Sequence, residues 1–230
     1  MSLLGEEGQR RLLDSTVAVV GLGGLGSIVA LYLAAAGVGR LVIVDPDVVE
    51  VHNLNRQLLY GEPDLGLPKA YAAARRLREL RSDLRVVPVK ASIEEGAARD
   101  AIREADVVVD ALDNWRARLA LADTAWEAGM PLVHAAVERY YAQLTTIKSG
   151  LTSCLHCIAP ARAEQRCVSV IGPAVGVAAS LEALEVIKII AGIGEPLYNK
   201  LLVIDALTPS IDTIELKPIP CSECRSGDNA

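Results

Sequence analysis

The sequence predicts an α/β fold, a doubly wound and mostly parallel sheet that is extended by antiparallel strands near the C-terminus. Three observations predict it. Apolar, strand-like runs alternate with helix-like segments through the first 135 residues, which is the order of a parallel sheet covered by helices. A glycine-rich turn joins the first strand to the first helix. Beyond Val137 the pattern changes to the alternating polar and apolar residues of an antiparallel strand.

The elements of the first part follow in chain order. Strands are predicted at 16–20, 40–45, 85–89, 106–110 and 131–135. Helices are predicted at about 25–36, 69–82, 94–104 and 115–128. Runs such as Val107-Val108-Val109 are too continuous for a half-exposed strand, so they indicate parallel strands that are covered on both faces. Right-handed crossovers are expected to connect them.

The second part of the chain is organised differently. Residues 139–149 alternate as an antiparallel strand does, and a loop rich in Cys, Pro and Arg spans 150–168. A long apolar helix and two strands are then predicted, at roughly 174–191, 200–205 and 211–217. Because no internal repeat or low-complexity linker interrupts the chain, we expect a single domain over 1–230, with halves of about 8–136 and 137–225.

Composition excludes several classes of protein. The chain has 230 residues, of which 51% are hydrophobic and 23% charged, so disorder is not expected. A net charge of −6 argues against broad nucleic-acid binding, and the arginines of 69–85 fit a solvated helix face. The start lacks a basic signal-peptide region, and the apolar runs are shorter than the ~18 residues of a membrane span. We expect no membrane contact and a cytoplasmic protein with reduced thiols.

The glycine-rich turn predicts a nucleotide site. In Gly21-x-Gly23-x-x-Gly26, the first glycine permits a tight turn, the second lets a phosphate approach the backbone, and the third lets helix and strand pack closely. Asp45 ends the second strand, 19 residues beyond Gly26, where it can accept hydrogen bonds from ribose hydroxyls. This pattern is typical of Rossmann-like sheets and fits NAD, FAD or ATP. The alternative is a glycine turn without a ligand.

Polar residues beyond the glycine turn suggest that a triphosphate is cleaved at this site as well as bound. Asn53, Arg56, Gln57 and Lys69 fall between the second strand and the next helix, beside the expected crevice. Arg56 and Lys69 suit β- and γ-phosphates and would neutralise charge developing at the α-phosphorus. Asp113 follows strand 106–110 at its carboxyl end, where a carboxylate suits Mg²⁺. The alternatives are a surface ion pair for Arg56 and an N-cap of helix 115–128 for Asp113.

The five cysteines form two pairs and one remainder. Cys154-x-x-Cys157 and Cys221-x-x-Cys224 together can supply four thiolates to a tetrahedral Zn²⁺. The rival interpretation, a redox C-x-x-C, is disfavoured because neither pair opens a helix after a strand. Cys167 is the odd cysteine, either an idle thiol or a reactive one.

In this order the motifs carry a resemblance to a known family. The chain is similar to the E1-like adenylyltransferases of the ThiF/MoeB/HesA group, which are related to the activating enzymes of ubiquitin-like proteins. The similarity extends from about Gly8 to Cys224. The matching segments are Gly21 to Gly26, Asp45, Asn53 to Gln57, Lys69, Ala111 to Asn114 and the two cysteine pairs.

The resemblance implies a specific reaction. ATP would bind at the glycine loop, and the C-terminal Gly-Gly carboxylate of a small ubiquitin-like sulfur-carrier protein would attack its α-phosphate, giving an acyl-adenylate and pyrophosphate. The implied catalytic residues are Arg56, Lys69, Asp113 and, for sulfur or acyl transfer, Cys167. The implied ATP-binding residues are Gly21, Gly23, Gly24, Gly26, Asp45, Asp47, Asn53, Arg56, Gln57, Lys69, Asp113 and Asn114.

The resemblance also implies partners and metals: Mg²⁺ at Asp113, a structural Zn²⁺ on the four paired cysteines, a homodimer and an associated sulfurtransferase.

A carboxylate is already a nucleophile at neutral pH, so no general base is required. None is evident in the sequence, because His52, His134 and His156 form no recognisable dyad or triad. His156 would serve as a zinc ligand only in place of a cysteine.

One departure from the family pattern leaves alternatives open. Most bacterial members begin with a segment containing Arg-Tyr-x-Arg-Gln, one arginine of which reaches the partner subunit's ATP site. Arg10 and Arg11 do not align with it. An upstream start, a replacement for this arginine or reduced activity would each explain the departure. The other readings are a nucleotide-binding scaffold without turnover, a nicotinamide dehydrogenase, and a relative that adenylates a small molecule or a tRNA base.

Overall fold

The computed structural model describes residues 4–159 and 169–217. Its strands are β1 (Thr16–Val20), β2 (Arg40–Val44), β3 (Arg85–Val89), β4 (Val107–Asp110), β5 (Leu132–Glu138), β6 (Tyr141–Ile147), β7 (Lys200–Asp205) and β8 (Ser210–Glu215). Its helices are α1 (Gly5–Asp14), α2 (Gly24–Ala36), α3 (Lys69–Leu80), α4 (Gly96–Ile102), α5 (Trp115–Glu127) and α6 (Gly172–Ala191). Short 3-10 turns lie at Val51–Asn53, Glu62–Asp64 and Leu155–Cys157.

The strands form one sheet in the order β3-β2-β1-β4-β5-β6-β7-β8. The pairs from β3 to β5 are parallel, and those from β5 to β8 are antiparallel. This arrangement confirms the predicted doubly wound sheet with an antiparallel extension. The strand order reverses between β1 and β4, and open sheets of this class bind ligands at the carboxyl ends of the two strands that flank such a reversal.

The sheet is covered on both faces, which explains its continuous apolar runs. Val107 and Val109 of β4 pack in the core beneath α2, α3 and α6, whereas Val108 packs in the core beneath α4 and α5. All three are fully buried or nearly so. Alternate residues of one strand therefore fill two separate cores, as expected for a parallel sheet between two helical layers.

Helix α1 is an element that the sequence pattern did not predict. Its sequence, GEEGQRRLLD, is polar, and within it only Gly8 and Leu12 are buried. Two buried residues four positions apart make only a weak periodic signal of a helix. The helix is held by contact with α6, since a Cβ built on Gly8 would lie 3.5 Å from the Cβ of Ala191. Among the described residues, no helix has the length and apolar character needed to cross a bilayer.

Candidate active site

Two loops meet where the strand order reverses. The glycine loop (residues 21–26) follows β1, and the β4 loop (residues 111–114) follows β4. Gly21 has a φ of +91°, and a Cβ at this position would lie 2.6 Å from the carbonyl oxygen of Ala111. The two loops thus touch through their backbones, and a side chain at Gly21 would separate them.

The remaining glycines shape the start of α2. A Cβ on Gly26 would lie 1.8 Å from the carbonyl oxygen of Gly21, so only glycine permits this turn. A Cβ on Gly24 would lie 2.9 Å from Val175 at the start of α6. Gly23 is the N-cap of α2 and has no side chain to bond the first amides. The helix therefore offers backbone N–H groups for an anion at this loop.

Asp45 is bound to the glycine loop. Its carboxylate accepts a hydrogen bond from the Leu22 amide at 2.7 Å and another from the Asp47 amide at 2.8 Å. The residue is buried, and burial raises the pKa of Asp45 above its usual value, against the opposing charge of Lys69. Each oxygen holds one backbone donor and keeps a lone pair for a further bond. The structure thus brings the predicted ribose ligand to the edge of the glycine loop.

Lys69 is the best-buried cation of the predicted site. It begins α3, and its Nζ donates to Oδ2 of Asp47 at 2.9 Å. The Lys69 side chain is only 7% exposed, whereas that of Asp47 is 65% exposed. A buried ammonium held by one solvent-facing carboxylate is well placed to exchange that partner for a phosphate.

Arg56 lies over the glycine loop, because a Cβ on Gly24 would be 3.6 Å from its Cγ. The guanidinium donates to the His52 carbonyl at 3.1 Å and to Oδ1 of Asn55 at 2.9 Å. Within residues 4–159 and 169–217 no ion pair of Arg56 is found, so the surface ion-pair interpretation gains no support. Its charge remains available to an anion at the glycine loop.

Asn53 and Gln57 are both buried in the segment that leads to α3. Asn53 has a structural task, because its Oδ1 accepts from the Glu50 amide at 3.0 Å. Gln57 lies against the glycine loop, with its Nε2 at 3.7 Å from a Cβ built on Gly23. Its Oε1 has no hydrogen-bond partner among the described residues. Gln57 therefore presents an unsatisfied polar atom beside the loop.

Asp113 and Asn114 divide two tasks at the end of the β4 loop. Asn114 caps α5, because its Oδ1 accepts from the Ala117 amide at 2.9 Å. The interpretation of Asp113 as the cap is therefore wrong by one residue. Asp113 is exposed and contacts Asn114 Nδ2 at 3.4 Å, a long hydrogen bond. Its carboxylate is thus exposed beyond the carboxyl end of β4, where it is accessible to a Mg²⁺ ion.

A buried cluster beneath the β4 loop was not predicted. His134 Nδ1 lies 2.6 Å from Oδ2 of Asp110, and Arg118 Nη1 lies 3.1 Å from the same oxygen. The sequence shows no evident dyad, and the structure supplies a buried pair between His134 and Asp110. Asp110 and Arg118 lie 24 and 16 positions from His134 in sequence, so no local pattern reveals the cluster.

The charges of this cluster follow from its burial. Burial alone would raise the pKa of Asp110, but the Arg118 guanidinium and the hydrogen bond from His134 hold that pKa below its usual value. Burial lowers the pKa of His134, which favours the neutral ring with its hydrogen on Nδ1. Because His134 is fully buried, it has no access to a proton of a bound substrate in this structure.

Two of the predicted zinc ligands lie in the described residues. Cys154 precedes the 3-10 turn Leu155–Cys157 as its N-cap and Cys157 ends that turn, with their sulfur atoms 3.8 Å apart. Two thiolates bound to one tetrahedral zinc at about 2.3 Å would be separated by about this distance. Between these two cysteines, His156 forms a hydrogen bond with Asp123, with Nε2 of the ring 2.7 Å from Oδ1 of the carboxylate. No group of three metal-ligating side chains occurs within the described residues. The predicted sites outside them are Cys167, Cys221 and Cys224.

Comparison with known proteins adds independent findings. A model described as the ThiF family matches residues 1–226. The chain is 40% identical over 234 residues to the SAMP-activating enzyme E1 of Haloferax volcanii, covering 99% of this chain and 86% of that protein. It is 43% identical over 220 residues to the adenylyltransferase and sulfurtransferase MOCS3 of Sus scrofa, covering 93% of this chain and 48% of that protein. The chain thus spans about half the length of this longer relative.

Solved structures share the fold. The structure of E. coli MccB with MccA-N7isoASN aligns with a TM-score of 0.86 at 27% identity, over 95% of this chain and 69% of that one. The structure of E. coli MccB with ATP aligns with a TM-score of 0.84 at 27% identity, over 95% of this chain and 68% of that one. Both share the sheet architecture described above.

Proposed function

The chain belongs to the ThiF family, and from that premise we propose that it is an ATP-dependent adenylyltransferase. Its substrate is the C-terminal Gly-Gly carboxylate of a small ubiquitin-like sulfur-carrier protein. The observation that carries the proposal is the contact of the glycine loop with Asp45, with Arg56 and with the β4 loop that leads to Asp113, while Lys69 lies beside Asp45 on Asp47. The similarity to an E1 enzyme named for SAMP activation and to MOCS3 adenylyltransferases supports the substrate class.

The reaction requires positioning and charge rather than proton transfer. A carboxylate oxygen of the carrier forms a bond to the α-phosphorus of ATP, and the bond from that phosphorus to the bridging oxygen of the β-phosphate breaks. Pyrophosphate leaves with the electron pair of that bond. The carboxylate is ionised at neutral pH, so no general base is needed.

The residues of this chain would then act by holding the triphosphate. The amides at the start of α2 bind phosphate oxygens, and Asp45 orients the ribose. Lys69 and Arg56 neutralise charge on the departing pyrophosphate. The exposed carboxylate of Asp113 fits a Mg²⁺ that enters with ATP, and that ion would supply further charge neutralisation. The orphaned Oε1 of Gln57 is an acceptor beside the loop, which suits a hydroxyl or amino group of the nucleotide and not a phosphate oxygen.

The proposal extends to the cysteines and to assembly. Cys154 and Cys157 would bind a structural Zn²⁺ together with Cys221 and Cys224, and Cys167 would take part in sulfur or acyl transfer. We further propose a homodimer in the cytoplasm that works with a sulfurtransferase. Exposed apolar side chains on the outer face of α6 are candidates for the dimer contact. They are Ile171, at the N-cap, Val177 and Leu184.

ATP–pyrophosphate exchange with a purified carrier that ends in Gly-Gly tests the function. We expect carrier-dependent exchange by the wild-type protein and a loss of at least about 100-fold in Asp113→Asn, because the carboxylate that would hold the charge-neutralising Mg²⁺ against the reacting phosphates disappears. Asp100→Asn is the matched control, since Asp100 is also exposed and its only ion pair among the described residues is with Arg103, which follows α4. Exchange by this control should equal that of wild type.

Three outcomes would contradict the proposal. ATP binding without exchange, with every Gly-Gly carrier tested, would identify a nucleotide-binding scaffold. Tight NADH binding in the absence of ATP binding would instead favour a dehydrogenase. Exchange supported by a small carboxylic acid alone would replace the carrier with a small-molecule substrate.

A further inference from the structure

Beneath the β4 loop, a guanidinium and a carboxylate are buried together. The side chain of Asp110 is fully buried, and that of Arg118 is 6% exposed. A buried ion pair of this kind is weak evidence for stability, because desolvation of the two charges offsets much of their attraction. The bonds that these two side chains make to the surrounding backbone are more informative.

The cluster holds the β4 loop at the residue before Asp113. The amide of Leu112 donates to Oδ1 of Asp110 at 3.1 Å, and the carbonyl of Leu112 accepts from Nη2 of Arg118. Both polar groups of Leu112 are therefore engaged by the cluster. Because that carbonyl belongs to the peptide bond between Leu112 and Asp113, its orientation fixes the plane that holds the amide and the Cα of Asp113.

Arg118 is itself held from three sides. Its Nη1 donates to Oδ2 of Asp110 at 3.1 Å and to the carbonyl of Ala135 in β5 at 2.7 Å. Its guanidinium carbon lies 5.8 Å from the centre of the Trp115 ring. The His134 ring lies 5.9 Å from the same ring and donates from Nδ1 to Asp110 at 2.6 Å. The planar fork of the arginine thus ties the β4 loop to the neighbouring strand.

By contrast, the carboxylate of Asp113 has little to hold it. Its contact to Asn114 is 3.4 Å long, and the Asn114 oxygen is committed to capping α5. The position of this carboxylate therefore depends on the backbone on either side of it. On one side that backbone is anchored by Arg118, and on the other by the cap of α5.

We propose that Arg118, fixed by Asp110 and His134, is a positioning residue that sets the Asp113 carboxylate for Mg²⁺·ATP. This proposal rests on the function proposed above. A lysine at 118 would keep the charge, but a single ammonium does not reproduce two planar bonds to carbonyls on different elements. Residues that orient the ligand of a metal typically change metal affinity or activity about 10- to 100-fold when replaced.

A double-mutant cycle between Arg118→Lys and Asp113→Asn tests the proposal, with calorimetric affinity for Mn²⁺·ATP as the readout. We expect Arg118→Lys to weaken Mn²⁺·ATP binding about 10-fold and to leave the affinity for ATP in EDTA unchanged. In the Asp113→Asn background, the same substitution should change Mn²⁺·ATP binding less than about 2-fold. Arg103→Lys, at an exposed arginine of the same protein, is the control.

His134 provides a second test that does not require a change at Arg118. His134→Asn keeps an N–H donor near Oδ2 of Asp110, whereas His134→Leu removes it. We expect the asparagine to restore most of the Mn²⁺·ATP affinity that the leucine loses. Equal losses in both variants, or additive effects in the cycle, would overturn the positioning role. Failure of carrier-dependent exchange in wild type would refute the proposed function alone, because the cycle is measured by binding.

Discussion

The two loops that meet at the site are held in place by opposite means. The glycine loop keeps its shape because side chains are missing: Gly21 and Gly26 allow backbone contacts that a Cβ would block. The β4 loop keeps its shape because side chains are present, namely the carboxylate of Asp110 and the fork of Arg118. One loop therefore depends on close packing of backbone, and the other on a buried set of charges.

This difference decides what each loop reveals in the sequence. Missing side chains leave a local signature, since three glycines must stand at fixed spacing between a strand and a helix. A side-chain anchor leaves none, because its partners lie on different elements. The first loop is also expected to tolerate little change, whereas the second should accept conservative replacements that keep its hydrogen bonds.

The largest effect that this comparison predicts is that of Gly26→Ala. The added Cβ would lie 1.8 Å from the carbonyl oxygen of Gly21, which is backbone and has no rotamer with which to move away. We expect a loss of about 3 kcal/mol in the free energy of unfolding. For a chain of this length that corresponds to a fall in Tm of about 6–12 °C. Thermal unfolding followed by circular dichroism measures it.

Gly96→Ala is the matched control for that prediction. Gly96 begins α4, and a Cβ built there meets nothing within 4 Å. Its Tm should remain within about 2 °C of wild type or rise slightly, because alanine favours a helix over glycine. A similar Tm for both variants would contradict the view that backbone contact holds the glycine loop.

Much of the fold follows from the sequence, because periodicity reports burial directly. Strand β1 lies at the predicted 16–20, and the order of parallel and antiparallel strands is confirmed. Helix α1 was missed because its own residues are mostly polar, and contact with α6 holds it. The start of α6 lies two residues before the predicted 174, since Pro173 needs no N–H partner in the first turn of a helix.

The candidate site is predictable only where it is encoded locally. Asp45 is brought to the glycine loop as expected, by its bond to the Leu22 amide. The cluster depends on the register that pairs Asp110 of β4 with His134 of β5 and on the packing of α5, which carries Arg118, and neither is encoded locally. The roles of the site residues in binding ATP stay predictions.

The pH dependence of stability should distinguish two fully buried carboxyl groups, those of Asp110 and Glu182. Asp110 is paired, whereas both oxygens of Glu182 have no hydrogen-bond partner in residues 4–159 and 169–217. Burial raises the pKa of Glu182 well above 4.5, with a further rise from Asp110 and an opposing effect from Arg118. The protonated, neutral form of Glu182 is therefore the one that suits the folded protein.

The sign of the effect follows from this shift. A carboxyl whose pKa is higher in the folded state stabilises the fold fully below the unfolded value, about 4.5, and that contribution is lost as the pH rises towards the folded pKa. We expect Glu182→Gln to be close to wild type in Tm at pH 5 and more stable at pH 8. Glu127→Gln, at an exposed position, should show no such divergence. A Tm difference that does not grow with pH would contradict this assignment.

The smallest effect belongs to the far end of the β4 loop, where Asn114 caps α5 through its bond to the Ala117 amide. Asn114→Ala should cost about 1 kcal/mol, and Asn114→Ser should recover most of it because a serine oxygen also serves as a cap. Chemical denaturation of the two variants measures the difference. Since the capping residue Asn114 directly follows Asp113, the alanine variant should also lose Mn²⁺·ATP affinity while the serine variant retains it. If both variants bind Mn²⁺·ATP equally well, then only the Arg118 side of the loop positions Asp113, and the two anchors of this loop are not equivalent.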